Sequence, residues 1–177
     1  MIMTMARRRP VRLSRFVPVP YDDVVAVLRH DVIDILSDTP TADGPVTVTL
    51  RPGPAAIVSC PVAVHVGPLI DDDDETIGRP LWWEASRLAA WFPTLDAGLE
   101  AVPGATGTEL RLTGGYQSPF GSLGAYADSF IGHRFATACL EHFLTDLSQR
   151  LTARIASRNS RAVRSPDGPV CSLKPLS

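Results

Sequence analysis

The stretch from Thr108 to Ile155 constrains this chain more than any other part of it. Leu110, Leu112, Gly114 and Tyr116 alternate with Glu109, Arg111 and Thr113, the period-2 pattern of a half-buried strand. The next residues are Gln117-Ser118-Pro119-Phe120-Gly121-Ser122-Leu123-Gly124, where one proline and two glycines end the ladder and turn the chain. After Gly124 no proline occurs before Ile155, and Gly132 is the sole glycine. The spacing therefore predicts a helix over about 124–155. A strand that feeds so long a helix, late in a strand-rich chain, points to a curved sheet gripping one helix. Such a fold encloses a cavity between the two.

The preceding residues supply the rest of that sheet. Val11 to Val19 reads as a first strand. Tyr21-Asp22-Asp23 opens a helix, with its acids in the first turn where the macrodipole favours them. A second short helix fits Val32 to Leu36. Strands follow at Val46–Leu50 and at Val58–Val66, where Val58, Cys60, Val62, Val64 and Val66 share one face. Pro61 in that strand argues for an edge or a bulge. Asp71-Asp72-Asp73-Asp74-Glu75 reads as a hairpin tip, with Leu81–Leu88 and Phe92–Val102 as the next strands. The expected organisation is a flexible basic leader over 1–9, one domain over 10–156, and a disordered tail over 157–177, which is rich in Arg, Ser and Pro.

Composition narrows the class of function. With 177 residues, 45% of them hydrophobic, one domain can bury a sufficient core without metals or disulfides. A net charge of −2 gives no basic field for nucleic acid. No apolar run suits a secretory signal or a transmembrane helix, so a cytoplasmic protein without integral membrane association is expected. Arg outnumbers Lys sixteen to one, a usage typical of GC-rich bacterial genes. Cys60, Cys139 and Cys171 have no CxxC spacing and read as reduced thiols. The run Asp71–Glu75 lacks the spacing and turn glycine of a calcium loop, and His30, His65 and His142 have no metal spacing. No metal or cofactor is expected.

At 100° per residue, Tyr126, Phe130, Ala136, Thr137, Leu140, Phe143, Leu144, Leu147, Leu151 and Ile155 share one broad helix face. Ser129 and His133 intrude on its N-terminal half, beside the turn that follows Tyr116. On the Leu81–Leu88 strand, alternation sends Trp82 and Glu84 to one side and Leu81, Trp83 and Ala85 to the other. The apolar company places Trp83 inside. In the reverse register Glu84 would be a buried carboxylate and an acid–base group.

The order strand, two helices, meander and long helix, with Gly115-Tyr116-Gln117-Ser118-Pro119-Phe120-Gly121-Ser122-Leu123-Gly124 and then Asp128, resembles the polyketide cyclase/dehydrase group of the START-like (SRPBCC) superfamily. Val19-Pro20, Pro80-Leu81-Trp82-Trp83-Glu84-Ala85 and Phe92-Pro93-Thr94-Leu95 strengthen the likeness, which covers roughly residues 10 to 156. The resemblance implies the α+β helix-grip fold, an antiparallel sheet of about six or seven strands wrapped around the C-terminal helix. It also implies a hydrophobic tunnel for lipids, polyketides or other aromatic molecules. It does not imply catalysis, because fold is a weak warrant for chemistry.

The expected ligand lining is Val58, Cys60, Val62, Val64, Trp83, Leu110, Leu112 and Tyr116 from the sheet. From the helix it is Phe130, His133, Thr137, Leu140 and Leu144. The first reading is a non-enzymatic protein that binds or carries a small hydrophobic ligand, with Tyr116 and His133 orienting its polar end. The second is a cyclase or dehydratase-like enzyme that uses His133, Tyr116 and, in the reverse register, Glu84 as acid–base groups. The third is a protein-interaction module on the sheet exterior around Trp82. An outward Trp82 calls for cover, which a second copy of the chain in a homodimer would supply.

Overall fold

The computed structural model describes residues 8–37, 46–57, 59–72, 76–84, 92–117 and 126–163. In chain order the elements are β1 (Arg9–Val17), α1 (Tyr21–His30), α2 (Val32–Leu36), β2 (Val46–Leu50), β3 (Cys60–Val66), β4 (Ile70–Asp72), β5 (Thr76–Glu84), β6 (Thr94–Gly104), β7 (Gly107–Gln117) and α3 (Tyr126–Val163). The strands form one antiparallel sheet in the order β1-β7-β6-β5-β3-β2, with short β4 paired to β5.

The grip follows from which elements touch. β1 and β2 are the first and last strands in that order, yet both pack against α3. Only a strongly curved sheet brings its two ends to one helix. Gly114 shows how closely the strands approach: a Cβ there would overlap the backbone of Asp96 and Ala97. This is the α+β helix-grip architecture expected from the sequence, with α1 and α2 between β1 and β2.

Register builds the concave face. Val46, Val64, Trp83, Leu95 and Tyr116 line up across five strands, and all are buried. Against this face α3 buries Ala136, Cys139, Leu140, Phe143, Leu144, Leu147, Leu151 and Ile155, the stripe that 3.6-residue periodicity predicts, with Cys139 added. Each buried leucine contributes about 1.5–3 kcal/mol.

Two arginines tie the short helices down. Arg79 donates to the carbonyls of Leu28 (2.8 Å), Arg29 (3.2 Å) and Gly67 (2.9 Å), closing the C-terminal end of α1, where carbonyls lack helical partners and favour a cation. Arg150 of α3 does the same for α2, reaching the carbonyls of Ile35, Leu36 and Ser37 at 3.2–3.5 Å.

Several boundaries differ from expectation for physical reasons. β1 begins at Arg9 rather than Val11, because it pairs with β7 as far as Tyr116. β3 is not an edge strand, since it pairs with both β2 and β5. Pro61 is tolerated because the described pairing with β5 covers only residues 63–66. Pro80 also sits in a central strand. Its carbonyl accepts from the Gly67 amide (2.8 Å), so its missing N–H faces the break between β3 and β4. Asp71 and Asp72 are strand residues of β4, paired with Ile77 and Thr76, rather than part of a tip. Asp71 is ion-paired with Arg29 at 2.9 Å.

The largest correction concerns the end of α3. The helix runs on to Val163, through the first residues of the segment 157–177 expected to be disordered. Ser157 and Ser160 bond back to the carbonyls of Arg154 and Ala156, and Arg158 reaches Asp31 at 3.1 Å. That ion pair ties the helix down beyond Ile155, its last buried apolar residue. The remaining tail and leader residues 1–7 lie outside the described residues. No helix among the described residues is long and apolar enough to cross a membrane.

Candidate functional site at the Tyr116–His133 pair

The concave row ends at Tyr116 on β7. The side chain is 1% exposed, and its hydroxyl is hydrogen-bonded to Nδ1 of His133 on α3. The two rings lie nearly parallel, at 14° with centroids 6.1 Å apart. If Nδ1 carries no proton, the tyrosine donates and the imidazole accepts. If Nδ1 is protonated, the roles reverse. Either way one proton is held between two groups of different intrinsic acidity, on a face whose other members are apolar. Such a pair can orient a ligand carbonyl or hydroxyl, or relay a proton.

His133 is half-buried, as is Thr137 one turn further along α3. Sequence periodicity placed both on the inner face. The structure joins His133 to Tyr116 across 17 residues of chain. Trp83, next but one along the same row, is fully buried. Its indole N–H donates to the Pro93 carbonyl (3.1 Å), and its ring meets Phe143 edge-on at 5.1 Å. Trp82 points outward, 42% exposed, and stacks on His65 at 5.4 Å and 8°. The outward register is therefore the observed one, and His65 covers one face of the exposed ring.

The other expected lining residues are placed as follows. Cys60, Val62, Val64, Leu110, Leu112, Leu140 and Leu144 are all buried. Leu110 and Leu112 pair with Ala101 and Leu99 of β6, six and four residues from Tyr116 along β7. Cys60 and Val62 sit toward β2. Leu144 faces the side of α3 where the two ends of the sheet approach each other. Val58 and the side chains of Glu84 and Phe130 lie outside the described residues. Burial, with Cys60 nearby adding to it, pushes the Cys139 thiol up to about 12.

A small pocket of about 10 Å³, partly open to the surface, lies where Ile35, Leu50, Phe143 and Leu147 meet. Larger spaces open to the surface. One of about 590 Å³ lies between β1, the loop after β2 and α3. Two more, of about 360 and 290 Å³, meet at Asp96 on the outer face, where Arg8 pairs with the Asp96 carboxylate.

Sequence reasoning missed the partnership of His142. Its side chain is only 15% exposed, and its Nε2 lies 3.4 Å from Asp146. The i,i+4 spacing of His142 and Asp146 was the available signal. Among the described residues no group of three or more His, Cys, Asp or Glu side chains could hold a metal ion.

No protein-family model matches the chain, and no curated protein matches it. Solved structures with a similar arrangement do. A STAR-related lipid transfer protein from Xanthomonas axonopodis is 17% identical over 82% of this chain and 89% of that one, with a TM-score of 0.44. The Zhui aromatase/cyclase from a Streptomyces species is 19% identical over 92% and 99%, with a TM-score of 0.42. A Polyketide_cyc-like protein from Corynebacterium glutamicum is 14% identical over 93% and 99%, with a TM-score of 0.28.

Proposed function

We propose that the protein binds or carries a small hydrophobic or aromatic molecule, a lipid, a polyketide or similar. The ligand would lie between the concave face of the sheet and α3, with Tyr116 and His133 meeting its polar end. The observation that carries this reading is the Tyr116–His133 hydrogen bond. A buried hydroxyl and a half-buried imidazole stand where an otherwise apolar row ends. Ligand sites of this class have that composition, an apolar wall with a few convergent polar groups. Apolar contact would supply affinity at about 25 cal/mol per Å² removed from water. A hydrogen bond to the pair would add about 0.5–1.5 kcal/mol and fix orientation.

Native mass spectrometry of the protein as purified tests the proposal. A retained small molecule, released on denaturation and soluble in organic solvent, is the expected result. Bare protein both as purified and after incubation with hydrophobic extracts would contradict it.

The same pair favours a second reading, a cyclase or dehydratase-like enzyme acting on a polyketide-like substrate. Here Tyr116 and His133 would exchange a proton with a substrate carbonyl or hydroxyl instead of only bonding to it. Tyr116→Phe separates the two. A carrier loses some affinity and releases its ligand unchanged, whereas an enzyme loses turnover by about 100-fold or more with a smaller change in binding.

A further inference from the structure

The curved sheet does not close. β1 and β2 reach α3 from opposite sides and are not paired with each other among the described residues. The opening between them holds the 590 Å³ pocket. Its apolar floor is Leu13 of β1 with Leu144 of α3, and its lip is the Pro52-Gly53-Pro54 loop. The two prolines hold that loop stiffly, so little ordering entropy remains for a ligand to remove.

The charges around this pocket are arranged by wall. Asp146 faces His142 at 3.4 Å, and Ser14 is turned to Glu109 on the outer side of β1. Arg15 stands on the β1 wall, and Glu141 stands with Asp146 on the helix wall. Among the described residues neither the Arg15 nor the Glu141 side chain makes a hydrogen bond or ion pair, and the Glu141 carbonyl accepts from Thr145 Oγ1 at 2.8 Å. A cation and an anion therefore line one pocket from different walls with an apolar floor between them.

We propose that this seam is a second ligand site, separate from the Tyr116–His133 pair, that takes a short zwitterionic amphiphile of the apolar-dipeptide class. The ligand carboxylate meets Arg15, its ammonium meets Glu141, and its apolar side chains rest on Leu13 and Leu144. The size agrees. Taken as a sphere, 590 Å³ is about 10 Å across. An extended dipeptide separates its charged ends by about 7 Å, so it lies within the pocket with each end turned toward the wall that carries its counter-charge. Neither a simple fatty acid nor a simple amine satisfies both walls.

Gly53 supplies a clean way to block the seam. A Cβ at this position meets no atom within 4 Å, and its backbone is not in the left-handed region. Gly53→Phe should therefore fill the mouth without straining the fold. The experiment is calorimetric titration of the full chain with leucyl-leucine. Three companions vary its charges: N-acetyl-leucyl-leucine, leucyl-leucinamide and the doubly blocked N-acetyl-leucyl-leucinamide.

The expected result is saturable binding of leucyl-leucine with Kd below about 1 mM. Each single blocking should weaken it about 10-fold, and Gly53→Phe should abolish it with an unchanged melting temperature. Glu141→Gln should remove the preference for a free N-terminus while keeping that for a free C-terminus. Arg15→Gln should do the converse. Equal binding of the doubly blocked peptide, undiminished binding by Gly53→Phe, or no saturable binding to the wild type would each overturn the proposal.

Discussion

The two stretches of α3 on either side of Ala138 are held to the sheet by different physics. From Cys139 to Ile155 the helix is fixed by continuous apolar burial, by Arg150 on the carbonyls of α2, and by Arg154 and Arg158 on Asp31. At His133 the described contact with the sheet is one hydroxyl–imidazole bond to Tyr116, with half-buried Thr137 one turn away. The first arrangement is redundant, so removing one part leaves the rest in place. The second concentrates its polarity in a single pair that a ligand could share. Stability is expected to reside in the first stretch and recognition in the second.

The difference breaks most visibly under truncation of the core. Leu151→Ala removes a fully buried side chain and should destabilise the fold by about 2–5 kcal/mol, read from the urea midpoint. A change below 1 kcal/mol would show that this stretch is less tightly packed than its burial implies. Tyr116→Phe should lower stability by only about 1 kcal/mol, because it leaves Nδ1 of His133 without its partner. It should also weaken a bound hydrophobic ligand by several-fold. A stability loss as large as that of Leu151→Ala would erase the contrast between the two stretches.

The Cys139 thiol sharpens the comparison through pH. In the unfolded chain it ionises near 9, whereas in the fold it keeps its proton until about 12. Its folded value is raised, so the stabilisation is complete below pH 9 and is lost as pH rises toward 12. Between pH 9 and 10 the loss should be about 1 kcal/mol, and Cys139→Ala should flatten that part of the stability curve. An unchanged slope in the variant would mean that the thiol is not buried as described.

The smallest effect belongs to the surface latch. Asp31, with its side chain 19% exposed, meets Arg154 at 3.6 Å and Arg158 at 3.1 Å. Asp31→Asn should cost about 0.2–1 kcal/mol at low salt and less as salt is added. A salt-independent loss above 2 kcal/mol would show that the latch is a core element.

How much of this was legible in the sequence depends on the range of the interaction concerned. α2 falls where its apolar spacing put it, and the buried face of α3 follows its 3.6-residue period, because both signals are local. Trp83 inside and Trp82 outside follow from alternation together with the apolar company of Leu81 and Ala85 beside Trp83. What escaped is set by partners distant in the chain. Pro61 and Pro80 look like edge residues until the breaks in pairing around them are known. The continuation of α3 past Ile155 depends partly on Asp31, 127 residues from Arg158. Tyr116 and His133 were each singled out, but their bond is a property of the folded grip. The seam pocket carries no sequence signature, since it exists only where two ends of one sheet fail to meet.

The central claim is that the Tyr116 end of the concave face recognises a hydrophobic ligand, while the buried side of α3 from Cys139 to Ile155 holds the fold together. Fluorescence titration with N-phenyl-1-naphthylamine, a neutral aromatic probe with one N–H, tests it directly in the wild type, Tyr116→Phe and Leu151→Ala. The account predicts saturable binding to the wild type, and the same affinity for Leu151→Ala below its unfolding midpoint. For Tyr116→Phe it predicts binding several-fold weaker with the fold intact. No binding to the wild type, or weakening by Leu151→Ala with none by Tyr116→Phe, would contradict it.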